Sequence, residues 1–272
     1  MKETDRQISI DERIQNEKDM YNKGIDREKY NSAFGYASGG YAADRKKELW
    51  ASVLQKEKGK KILEIGSTSW KQYIDFKNFP PAELVCINIS EKAVDEGIKL
   101  AEKHHTSEYS EHSFKVMDAH KLEFPDQSFD IVFGKEILHH LDFELSIKEI
   151  ARVLKKDGQM IFSEPLQRNP VGRLVRRMTP DKRTAFEKPL NKKEIKILKR
   201  YFDLGLTFHQ LFYVPAGVIS KRLFKSPKNP MTRGAYKFDL FLERVFRKTN
   251  IGLYYRQVVI IGRVKQKTDD RS

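Results

Sequence analysis

The sequence predicts an α/β, doubly wound protein: a mostly parallel sheet of seven strands, with a helical N-terminal segment and helical cap insertions. Two observations carry the prediction. From Lys61 to Glu164, short apolar runs ending in turn residues alternate with stretches at helical spacing. Parallel strands need a crossover of roughly 10–15 residues to return, which is the length these stretches supply. The size is also sufficient: 272 residues, 39% apolar and 33% charged, can bury one sizeable core plus a small cap.

Residues 1–58 are polar and helical in pattern, interrupted by the aromatic and glycine-rich Tyr30–Tyr41, which reads as a loop. Helical spacing resumes with Leu49, Trp50, Val53 and Leu54. Lys61–Gly66 is the first buried strand, and Leu84–Ile89 the second, with Ser90 as the N-cap of the helix that follows. Phe114–Asp118 and Phe129–Gly134 are the third and fourth strands. A helix over Glu144–Leu154 ends at the turn Lys155–Gly158, and Gln159–Glu164 is the fifth strand. After Pro165 the alternation stops. Residues 166–200 are basic and contain Pro170, Pro180 and Pro189; strands return at Phe202–Phe212 and Tyr254–Gly262, with two amphipathic helical patterns over 216–250 between them.

Composition removes several function classes. The longest apolar runs fall far short of the ~20 residues of a spanning helix. The charged N-terminus lacks the apolar stretch of a secretory signal, so the expected location is cytoplasmic, with a peripheral position at the inner membrane face left open. A single cysteine, Cys86, excludes an internal disulfide, a cysteine-built zinc site and an iron–sulfur cluster. Charge is divided unevenly: residues 1–160 hold 26 Lys and Arg against 29 Asp and Glu, whereas residues 161–272 hold 26 against 9, a net of +17. Such a field attracts an anionic partner.

Ligands of doubly wound sheets sit at the carboxyl ends of the strands, so the loop after the first strand matters most. It reads Glu64-Ile65-Gly66-Ser67-Thr68-Ser69-Trp70. This resembles the first motif of the class I S-adenosylmethionine-dependent methyltransferases, with Thr68 and Trp70 standing where two further glycines are usual. The likeness extends over about residues 60–165 and is most specific in Phe124–Leu141, the segment around the fourth strand. It implies a Rossmann-like sheet whose last strand is antiparallel, a lid over residues 1–58, and a methyltransferase domain over 59–272 with cap insertions at 166–200 and 216–250. It also implies S-adenosylmethionine as cofactor, S-adenosylhomocysteine as product, and no metal. The implied cofactor contacts are Glu64, Gly66 and Ser67 in the first turn, Asn88 and Ile89 at the ribose, Asp118 and Ala119 at the adenine, and Gly134.

His139 and His140 follow the fourth strand, and an imidazole near neutral pKa can accept a proton from a hydroxyl. Packing at the helix start is the structural alternative for each. Glu164, ending the fifth strand, is a second proton-handling group or an orienter of a histidine. Tandem histidines with this carboxylate are similar to what sugar O-methyltransferases of the family display, which implies a hydroxyl acceptor. The Asn/Asp-Pro-Pro-aromatic run of base N-methyltransferases is absent after the fourth strand, and Cys86 lies inside a strand, so nucleic acid is not an expected partner.

Segments 166–200 and 216–250 leave the fold at the cofactor end and are expected to build the acceptor site. Arg168, Arg173, Arg176, Arg177 and Arg183 suit phosphate or carboxylate oxygens. Within 216–250, Val218, Ile219, Leu223, Phe224, Phe238, Phe241, Leu242, Val245 and Phe246 recur at helical spacing among nine Lys and Arg, reading as a packed cap or as a peripheral membrane contact. The expected acceptor is an anionic or glycan small molecule, or a lipid-linked one. Two other readings stand beside it: methylation of a small natural product or quinone, and a non-catalytic basic module binding RNA or membrane.

Overall fold

A computed structural model describes residues 10–23, 35–54, 58–178, 186–246 and 249–266. Strand β1 (Lys61–Ile65) pairs in parallel with β2 (Glu83–Asn88) on one side and β4 (Phe129–Lys135) on the other. Beyond β2 lies β3 (Glu111–Val116), and beyond β4 lies β5 (Leu154–Pro165), both parallel to their neighbours. The antiparallel β7 (Gln257–Val264) then separates β5 from β6 (Phe202–His209). Among the described residues the sheet therefore has seven strands, as expected, in the order β3-β2-β1-β4-β5-β7-β6, and strand order reverses between β1 and β4.

Strand alternation divides the core into two layers. Ile62, Leu84, Ile131, Ile161 and Val259 face one side, where α2 (Gly40–Leu54) contributes Trp50, Val53 and Leu54. Leu63, Val85, Val132, Phe162 and Val258 face the other, where α5 (Phe143–Val153) contributes Ile147, Ile150 and Val153. The short α3 (Trp70–Tyr73) follows β1, and the β2–β3 crossover is α4 (Glu91–Lys103). Its N-cap is Ser90, whose hydroxyl accepts from the Ala93 N–H at 3.2 Å. The preceding N-terminal helix is α1 (Ile10–Lys23). After β5 come α6 (Pro170–Met178) and α7 (Lys192–Tyr201), and between β6 and β7 lie α8 (Tyr213–Leu223) and α9 (Pro230–Val245).

Several expected boundaries move. Strand β3 runs over 111–116, so Met117 and Asp118 belong to the loop beyond it; as an edge strand carrying Glu111 and His112 it lacks an apolar start. Strand β5 begins at Leu154, paired with Phe129, and Lys155–Gly158 is a register irregularity inside the strand rather than a turn before it. Strand β6 stops at His209, and Tyr254 closes a 3-10 turn (Asn250–Tyr254), so β7 starts at Gln257. Residues 35–38 of the expected Tyr30–Tyr41 loop are helical, and 30–34 lie outside the described residues. No helix among the described residues is long and apolar enough to cross a membrane.

Candidate functional site

A cleft opens at the carboxyl ends of β1, β2 and β4. Its floor is Gly66, Asn88, Asp118 and Ala119; Ile137 and His140 form a wall; Arg13, Ile14 and Glu17 of α1 form the roof. Ile89 also lines it.

The first turn is held from beneath. Glu64 alternates with the cleft-facing Ile65, so its side chain enters the opposite layer, fully buried. There Oε1 accepts from the Ser69 N–H at 2.6 Å and Oε2 from the Trp70 N–H at 3.4 Å. Burial pushes its carboxyl up to about 7, against the pull of those N–H groups. Glu64 organises the turn and does not line the cleft. Ser67, also implied as a cofactor contact, is fully buried too and gives its hydroxyl to the Ala93 carbonyl at 2.9 Å. Gly66 does line the cleft, at φ +130°, a conformation L side chains rarely adopt. Trp70 does not crowd the cleft: its indole is buried, donates to the Ser67 carbonyl at 3.2 Å and packs edge-on to Phe76.

Asn88 links the first two loops, donating to the Gly66 carbonyl at 3.2 Å and accepting from the Ser90 N–H at 2.9 Å. Burial disfavours the Asp118 charge, but the His120 ring at 2.6 Å and the His120 N–H at 2.9 Å hold the carboxyl below its usual range. His120 Nε2 accepts from the Asp142 N–H at 2.7 Å, which places the ring proton on Nδ1, facing Asp118. In the sequence, His120 is marked only by its place two residues after the acid. Gly134 is not on the cleft surface. A Cβ there would stand 2.7 Å from Phe162 and 2.8 Å from the Ile65 carbonyl, so close packing explains the glycine.

The two histidines diverge. His140 lines the cleft with Nδ1 3.0 Å from a Glu17 carboxylate oxygen. His139 is buried and turned away, its Nδ1 2.7 Å from Glu164 and its Nε2 3.9 Å from Glu187. The rings are nonetheless adjacent, with centroids 4.1 Å apart. Glu164 Oε1 also accepts from the Ile137 and Leu138 N–H groups at 3.0 and 2.9 Å, so one buried carboxylate shapes the turn and aims the ring. Burial alone would lower the His139 pKa; the hydrogen bond and charge of Glu164, with Glu187 and Glu136 nearby, hold it above the usual imidazole value. His139, His140 and Glu187 bring ligand-type atoms within 4.8 Å of one another, a grouping that the sequence reading, which expected no metal, did not see.

A second polar group lies beside this turn. Glu136, at φ +53°, accepts from the Gln257 amide, whose oxygen lies 3.4 Å from Lys46 Nζ on α2. Burial pulls Lys46 down to about 8 despite the Glu136 charge. These residues come from the turn after β4, from β7 and from α2, far apart in the chain, and only the fold brings them together. The cap arginines do not converge as a set. Arg168 lies over Tyr254, 5.9 Å from the ring centroid; Arg176 donates to the Gln167 carbonyl at 3.2 Å; Arg173 and Arg177 are exposed. Arg183 lies outside the described residues.

Comparison with known proteins agrees with this architecture. Residues 63–162 match a family described as a methyltransferase domain. The 27-O-demethylrifamycin SV methyltransferase of Amycolatopsis mediterranei is 31% identical over 124 residues, a match covering 45% of this chain and 45%, less than half, of that protein. Two solved structures share the fold. Phosphoethanolamine N-methyltransferase 2 of Haemonchus contortus, with phosphomonomethylethanolamine and S-adenosylhomocysteine, aligns at TM-score 0.59 and 15% identity over 92% of this chain and 60% of its own. Geranyl diphosphate C-methyltransferase of Streptomyces coelicolor A3(2), with Mg2+, geranyl diphosphate and S-adenosylhomocysteine, aligns at 0.55 and 12% over 81% and 80%. Residues 63–162 thus match a methyltransferase domain, and the chain shares the fold of methyltransferase structures solved with S-adenosylhomocysteine.

Proposed function

We propose that the chain is an S-adenosylmethionine-dependent O-methyltransferase whose acceptor is a sugar hydroxyl of a glycan, glycolipid or sugar nucleotide. The observation that carries the reading is the corner of the cleft where the Gly66–Asn88–Asp118 floor meets His140, with the His139 ring tilted against it and bonded to Glu164.

The residues present fit the cofactor. Gly66 puts no Cβ in the cleft, Trp70 is turned out of it, and Asp118 is held ionised. Asp118 and Ala119 would take the adenine edge and Asn88 the ribose hydroxyls. Bound there, S-adenosylmethionine supplies a sulfonium methyl group already activated for transfer and leaves as S-adenosylhomocysteine. The chain's own part is to hold the acceptor and take its proton, so positioning carries much of the acceleration. His140 faces the cleft and is the base; His139 and Glu164 fix the turn that presents it. The net +17 of residues 161–272 supports an acceptor bearing phosphate or carboxylate. The apolar lining from Ile87, Met117 and Leu141, together with the rifamycin-directed relative, favours a small natural product as the second reading.

The test is turnover at saturating acceptor. His140→Ala should lower kcat by about 10²–10⁴-fold, the usual worth of a general base, with the affinity for S-adenosylhomocysteine unchanged. Wild-type turnover in His140→Ala would refute the assignment.

A further inference from the structure

The outer side of the cap carries apolar side chains that the core does not use. On α8, Ile219 and Leu223 are 53% and 63% exposed; on α9, Phe238, Phe241 and Val245 are 46%, 57% and 54% exposed. Spacings of four on α8, and of three and seven on α9, set each group along one side of its helix. The buried residues Val214, Gly217 and Ser220 of α8, and Thr232 and Asp239 of α9, occupy the opposite sides. Phe212, the residue before α8, extends the α9 stripe: its ring is 5.1 Å from that of Phe238, which is 6.4 Å from that of Phe241. Scattered exposed apolar residues need no explanation, but a joined patch does.

Among the described residues the charge around the patch is mainly basic, Lys228 alone being paired there, to Asp44 of α2 at 2.7 Å. Lys221, Arg222, Lys225, Arg233, Lys237 and Arg244 are exposed. Both acids of segment 216–250 are used inside. Asp239 accepts from the N–H groups of Leu211, Phe212 and Tyr213, and Glu243 is bonded to Arg45 and to the Phe208 N–H. Among the described residues, this surface therefore offers apolar groups and cations with neither acid facing outward. A protein partner covering it would bury those cations unless it supplied matching acids at each. An anionic bilayer needs no such matching, because it presents mobile phosphates above an apolar interior.

We propose that α8 and α9 form a peripheral docking surface for an anionic lipid bilayer. Ile219, Leu223, Phe238 and Phe241 enter the boundary between headgroups and acyl chains, and the surrounding lysines and arginines meet the headgroup phosphates. The proposal stands independently of methyl transfer.

The test uses the full chain and vesicles of phosphatidylcholine with or without phosphatidylglycerol. Binding should be about tenfold or more tighter with phosphatidylglycerol and should weaken with salt. Ile219→Asp with Phe241→Asp should reduce it by at least a further tenfold with an unchanged Tm, since both residues are exposed, and Lys221→Glu with Lys237→Glu should remove the preference for the anionic lipid. No vesicle binding, equal binding to both compositions, or binding untouched by either pair overturns the proposal. So does a dimer in light scattering that Phe241→Asp dissociates, which would make the face an interface between copies. RNA binding without vesicle binding would likewise reject it.

Discussion

The turn after β1 and the turn after β4 are built on the same device and put it to different ends. Each has a fully buried glutamate whose carboxylate accepts backbone N–H groups of the turn above it: Glu64 for Ser69 and Trp70, Glu164 for Ile137 and Leu138. Among the described residues Glu64 has no cationic partner, so burial dominates and its carboxyl rises to about 7. Glu164 adds the His139 ring at 2.7 Å and thereby raises the imidazole's pKa instead. A buried carboxylate that serves only backbone amides fixes a loop. One that also reaches an imidazole fixes a loop and a proton-handling group together.

Removing the second device should have the larger effect. Glu164→Ala leaves four groups unsatisfied, the N–H groups of Ile137, Leu138 and His139 and the His139 ring, and should destabilise the protein by about 3–5 kcal/mol, measured by denaturant unfolding. A change below about 1 kcal/mol would mean that the turn stands without it. Glu64 is tested by pH. Its folded carboxyl lies above the ordinary value of 4.5, so protonation favours the folded state. The corresponding stability is full below about pH 4.5 and is lost as pH rises toward about 7. The wild type should lose on the order of 3 kcal/mol across that window, and Glu64→Gln should lack that loss. Parallel pH profiles for the two proteins would contradict the buried, cation-free environment. His139 acts in the same direction but in a later window: stability from its charge is full below its ordinary value and lost as pH passes its raised one. The smallest effect is expected at Asn88, which bridges the first turn and the α4 N-terminus. Asn88→Ala should cost about 1 kcal/mol in thermal unfolding.

The parallel core was legible because burial on both faces leaves near-continuous apolar runs such as Ile62–Ile65 and Leu84–Ile87, and because Ser90 announces its helix. The edges were less so. The start of β3 is polar because only part of it is covered, and the start of β5 is hidden by an irregularity around Lys155–Gly158. Within the site, residue types at strand ends point to loops that line the cleft but not to side-chain direction. Glu64 and Ser67 sit in the first turn yet face away from the cleft, and of two adjacent histidines only His140 lines it. His120 and the Glu136–Gln257–Lys46 group were illegible because their partners meet only after folding.

The central claim is that the Gly66–Asn88–Asp118 floor binds S-adenosylmethionine, and calorimetric titration with S-adenosylhomocysteine tests it most directly. We expect micromolar binding by the wild type and a loss of about tenfold to a hundredfold in Asp118→Ala, the worth of a hydrogen bond to a charged group. Absence of binding at millimolar ligand, or equal affinity in the two proteins, would contradict it.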